Sequence, residues 1–137
     1  MRNLIHALRL HLLFIVLINI MYVLVYLFRP QQLDSYWFYL YMAVCIFIYL
    51  ATGWVVMHEF NKRRLALLGG LLVFLVGYLI QLIGIFASLV LLTSIKLNTA
   101  VSILLKLLTY GVYYALIAIA LAFIGAHICN QYRRHTH

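Results

Sequence analysis

Acidic residues are nearly missing from this chain: Asp34 and Glu59 are the only two, against ten lysines and arginines. Charge of either sign is also missing from the middle of every long apolar stretch. Proton-coupled exchangers and ion pumps usually carry an ionisable group at that depth, so the absence argues against both. There is one proline, Pro30, and it marks the end of a helix because it cannot supply a backbone donor. The two cysteines, Cys45 and Cys129, fall at different depths. A disulfide needs a Cα separation below about 7 Å, so they read as reduced packing residues. No nucleophile–base–orienter pattern and no phosphate loop is present, and no catalytic activity is expected. There is also no low-complexity segment and no soluble linker, which leaves a single domain.

What the chain has instead is apolar length. Hydrophobic residues make up 68% of it and charged residues 9%, against about 25% charged in ordinary soluble domains. Four runs dominate: Leu10–Phe28, Tyr36–Met57, Leu65–Thr93 and Thr99–Cys129. A helix of about 20 apolar residues crosses a hydrocarbon layer of roughly 30 Å. Barrel strands are shorter and alternate in polarity, so the runs are expected to be helices. The fold class predicted is all-α: an integral membrane four-helix antiparallel bundle spanning residues 1–137, with a cytoplasmic tail at 130–137. The first run is not expected to be a cleaved signal peptide, since Phe28-Arg29-Pro30 follows it without a small-residue cleavage motif.

The net charge of +8 is spread over helix ends and not along one stripe, so it does not suggest nucleic acid. Arg2, Arg9, Lys62, Arg63, Arg64, Arg133 and Arg134 fall on one side of an even-numbered bundle; Arg29, Lys96 and Lys106 fall on the other. The positive-inside rule then puts both termini in the cytoplasm. Tyr36, Trp37, Tyr39 and Tyr41 read as an interfacial aromatic belt at the outer end of the second helix, with Trp54 and Tyr132 at the inner interface. Asn98 or Thr99 is the expected cap of the fourth helix. Lys62, Arg63, Arg64, Arg133 and Arg134 are expected to hold the topology and meet anionic lipid headgroups.

Small residues recur at a spacing of seven. Gly70, Gly77 and Gly84 form one row in the third helix; Gly111, Ala118 and Gly125, with Ala115, Ala122 and Cys129, form two in the fourth. Such rows let membrane helices approach closely, which predicts a tight contact between helices three and four. A path lined by glycine backbone is the competing reading. Helices one and two are rich in aromatic and branched residues and poor in glycine. They are read as a pair that wraps the other two or faces a partner.

Two amides, Asn19 and Gln81, fall near mid-depth. An unpaired amide in hydrocarbon is costly, so they are expected to turn inward and bond to each other as a clasp. The alternative is a polar pocket formed with Tyr78, Thr52 and Ser88. All six histidines (His6, His11, His58, His127, His135 and His137) lie toward the predicted cytoplasmic side, with Glu59 beside His58. Their spacing lacks paired metal-ligand motifs, and no cofactor is expected. The role these features suggest is an accessory or interaction subunit that stabilises or regulates a membrane assembly, through self-association or a membrane-protein partner. The alternative is a small oligomeric transporter, lipid-linked substrate flippase or channel. A bacterial cytoplasmic membrane is the expected location.

Overall fold

The computed structural model describes residues 1–28, 36–91 and 95–136. Four helices account for almost all of them: α1 (Arg2–Phe28), α2 (Tyr36–Phe60), α3 (Arg63–Leu91) and α4 (Leu97–Thr136). Each is long and apolar enough to cross a membrane, so the chain is an integral, multi-pass membrane protein. No strand occurs among the described residues.

The helices extend beyond the apolar runs that predict them. α1 begins at Arg2 and not at Leu10, and α4 continues through the tail to Thr136 and not to Cys129. Hydropathy marks where hydrocarbon ends, but the backbone stays helical past that point where no proline or glycine interrupts it, as in Arg2–Arg9 and Ile128–Arg134. At 1.5 Å per residue, the 40 residues of α4 reach about 60 Å, twice the hydrocarbon thickness. Its N-terminus also differs from expectation. The Lys96 carbonyl accepts bonds from the Thr99 and Ala100 amides, so the first turn opens before Asn98. Pro30 and Thr93 lie outside the described residues.

α2 and α3 are joined by two residues. Asn61 takes φ 51°, a left-handed conformation that asparagine tolerates better than most side chains, and this ends α2. Lys62 follows, its carbonyl accepting the Leu65 and Ala66 amides to start α3. The Arg133 guanidinium of α4 donates to the His58 carbonyl and, at 3.5 Å, to Asn61 Oδ1. A cation thus sits on the open carbonyls at the α2 C-terminus, where the helix dipole favours it.

α2 and α3 pack on each other and lie between α1 and α4, whose backbones do not approach among the described residues. The closest contact joins α2 to α4, where Gly53 rests on the backbone of Ala122 and Gly125 on the backbone of Leu50. A methyl group at either glycine would fall on a carbonyl oxygen. The glycine row of α3 does not serve α4 alone, as its spacing suggested. Gly70 meets Ala122 and Ala118 of α4, yet Gly77 faces Ile15 and Asn19 of α1, and Gly84 faces Val23 of α1. A row of period seven drifts around its helix by about 20° per repeat, and this one passes from one neighbour to the other. Gly111 has a different use: its missing side chain makes room for the ring of Tyr78.

The main core gathers Leu4, Leu8, Ile15, Val56, Ala66 and Val73, with Ala126 and Cys129 of α4. A second cluster, Ile85, Leu89 and Ala100, lies toward the opposite end. Cys45 and Cys129 are both buried and unpaired.

Candidate functional site

Asn19 is the deepest polar side chain of α1, 2% exposed. Its Nδ2 donates to the carbonyl of Ile15 one turn earlier, at 2.7 Å, and its Oδ1 accepts the Tyr41 hydroxyl of α2 at 3.0 Å. The same hydroxyl accepts Gln81 Nε2 of α3 at 2.6 Å. The two amides do not bond directly, as the sequence suggested. Tyr41 stands between them, and three helices are tied by one hydroxyl that donates once and accepts once. Gly77 is part of the arrangement. A Cβ there would lie 2.6 Å from Asn19 Nδ2, so the absence of a side chain leaves the amide its place.

Around this chain of bonds is a cavity of about 320 Å³, bounded by all four helices. Tyr22, Tyr49, Tyr78, Tyr110 and Tyr114 contribute phenol rings to the wall, and Cys45, Phe74 and Leu121 contribute apolar surface. Tyr22 lies against Tyr41 with ring centroids 4.6 Å apart, and Phe74 stacks on Tyr78 at 5.2 Å. The Tyr78 hydroxyl reaches across to the Leu107 carbonyl of α4. Among the described residues, no lysine, arginine, histidine, aspartate or glutamate lines the cavity. Thr52 and Ser88 do not belong to it either. Each is buried and donates back to its own helix, to Ile48 at 2.8 Å and Ile85 at 2.7 Å.

The cavity occupies the part of the molecule toward the end where α1 finishes and α2 begins. It lies beyond the Gly53–Ala122 and Gly125–Leu50 contacts along α2 and α4. Those two helices touch through backbone at one level and both line the cavity at the next.

Most of the charged residues collect at the other end. Arg2, His6 and Arg9 form one wall of a groove with Glu59. Lys62, Arg63, Arg64 and Arg134 are exposed, and Arg133 is half-buried through its bonds to the α2 terminus. His58, Trp54 and Tyr132 line a shallow recess beside Arg133, the two rings 5.7 Å apart. His127 pairs with Gln131 one turn on, at 3.1 Å. Among the described residues, no three histidine, cysteine or acidic side chains converge as a metal-binding group; His137 lies outside those residues. Ala115 is half-buried, whereas Ala118, Ala122 and Gly125 are buried.

Sequence reasoning missed Tyr41, which it placed in an interfacial belt, and Gly53, which stands in a helix read as aromatic. A signal for Gly53 exists in Ala51-Thr52-Gly53, the one run of small residues in α2. Comparison with protein-family models, curated proteins and solved structures finds no match to this chain.

Proposed function

We propose that the chain is a four-span antiparallel bundle with both termini in the cytoplasm, and that it serves as an accessory subunit stabilising or regulating a larger membrane assembly. The observation that carries this reading is the use made of the mid-depth polar groups. Asn19, Tyr41 and Gln81 are linked across three helices in one internal chain of hydrogen bonds, and α2 and α4 meet backbone to backbone beside it. A pathway for ions or polar solutes needs polar groups that remain available along its length. Here they serve to join helices. The asymmetry of basic residues, seven against three, supports the orientation, and the same cationic end suits the anionic headgroups of a bacterial cytoplasmic membrane.

Extraction from the native membrane in mild detergent, followed by native mass spectrometry, tests this role. A second polypeptide bound in fixed stoichiometry is the expected result. A homo-oligomer carrying bound lipid or metabolite, without any other chain, would displace the proposal in favour of a small transporter or lipid-linked substrate flippase, the reading that the cavity favours.

A further inference from the structure

The cavity around Tyr41 has a chemistry of its own, whichever role the chain serves. Its wall combines three features that point to one class of occupant. It lacks any formal charge, so a phosphate entering it would lose its hydration without a cation to pair with. It is rich in phenol rings, which favour offset or edge contacts with another planar ring. It also offers hydroxyls, those of Tyr22, Tyr49, Tyr110 and Tyr114, that are not members of the Asn19–Tyr41–Gln81 chain. The volume of about 320 Å³ falls at the small end of the range for ligand sites, enough for a one- or two-ring head group.

The surrounding helices give this space a route from the bilayer. Tyr22 of α1 and Tyr110 and Tyr114 of α4 all contribute to the wall. Tyr110 and Tyr114 are 59% and 46% exposed, so the lining of the cavity continues onto the lipid-facing surface of α4. A molecule already dissolved in hydrocarbon can place its head group among the tyrosines and leave its chain in lipid.

We propose that this cavity binds a neutral membrane-dissolved amphiphile bearing a planar ring with carbonyl or hydroxyl oxygens, the chemistry of an isoprenoid quinone, entering past Tyr110 and Tyr114 of α4. The tyrosine hydroxyls donate to its oxygens and the rings flank its plane. No redox step is implied, because binding alone accounts for the features of the wall.

The test is saturable binding of radiolabelled ubiquinone-1 to the full chain in phosphatidylcholine nanodiscs, with empty nanodiscs as the partition control. One site per chain is expected, indifferent to added phosphatidylglycerol. Met42→Trp, which places an indole in the cavity from a half-buried wall position, should abolish that site. Tyr110→Phe with Tyr114→Phe should weaken binding about tenfold, the equivalent of one good hydrogen bond. Both positions on α4 are exposed, so folding should survive and size-exclusion chromatography would register it if it did not. Uptake no greater than that of empty nanodiscs would overturn the proposal. So would binding that persists undiminished in a folded Met42→Trp protein, or binding that phosphatidylglycerol displaces.

Discussion

At the scale of single residues, the polar chemistry of this protein converges on Tyr41. Its hydroxyl is acceptor to Gln81 and donor to Asn19, in a medium where neither amide has water to fall back on. Interhelical bonds between membrane helices contribute about 0.6 kcal/mol on average and up to about 1.7. Tyr41→Phe keeps the ring contact with Tyr22 and removes both bonds, so we expect it to cost about 1 kcal/mol. Unfolding followed by far-UV circular dichroism along an SDS titration measures this. The paired change Tyr41→Phe with Gln81→Leu should cost less than the sum of the two separate substitutions, because both break the same bond. Full additivity would mean that the hydroxyl and the amide act independently. The amides were legible in the sequence because a lone Asn or Gln in an apolar run must find a partner inside the bundle. The tyrosine was not, since a phenol near a helix end serves equally well in an interfacial belt, and only the three-dimensional neighbours distinguish the two.

At the scale of helices, glycine decides which surfaces meet. A side chain at Gly53 would fall on the Ala122 carbonyl oxygen, and one at Gly125 on that of Leu50. Backbone atoms cannot swing aside as a side chain can, so the helices must part. Overpacking of this kind usually costs about 1–3 kcal/mol and can exceed that range, so Gly53→Ala is expected to destabilise by about 3 kcal/mol. Gly69 offers an internal comparison. The nearest neighbours of a methyl there are side-chain atoms of Leu8 and Val56, both at 3.2 Å, which need give by only a few tenths of an ångström. Alanine also favours a helix over glycine by about 1 kcal/mol, so Gly69→Ala should stay within about 1 kcal/mol of the parent. Thermal unfolding in a single detergent ranks the two, and equal losses would mean that the α2–α4 backbone contact is no more demanding than an ordinary one. The periodic rows in α3 and α4 made small-residue packing legible. Which partner each glycine faces was not, because one row can serve two neighbours, as Gly70 and Gly77 do.

At the scale of the whole molecule, the order of contacts and the placement of charge bear on the same question. Leu8, then Ile15 and Asn19, then Val23 of α1 meet Gly69, Gly77 and Gly84 of α3 in ascending order. Apart from the Leu50–Gly125 and Gly53–Ala122 crossing, whose local order is reversed, α2 runs the same way along α4, with His58 and Asn61 meeting Arg133. Between α3 and α4 the order reverses, with Gly70 against Ala122 and Tyr78 against Leu107. This pattern supports the antiparallel arrangement proposed above, but it does not choose a side of the membrane. That choice rests on charge. Lys62, Arg63 and Arg64 stand at the α2–α3 connection with Arg133 and Arg134 nearby, and exporting such a cluster is disfavoured because basic segments resist translocation. The Arg133 bond to the His58 carbonyl joins the α4 tail to that connection, so whatever places one places the other. In a background with Cys45 and Cys129 replaced by alanine, Lys62→Cys should resist a membrane-impermeant maleimide in intact cells and react once the membrane is opened. Asn98→Cys, beyond the opposite ends of the helices, should react at once. Labelling of Lys62→Cys in sealed cells would invert the topology, and with it the lipid leaflet on which the tyrosine cavity opens.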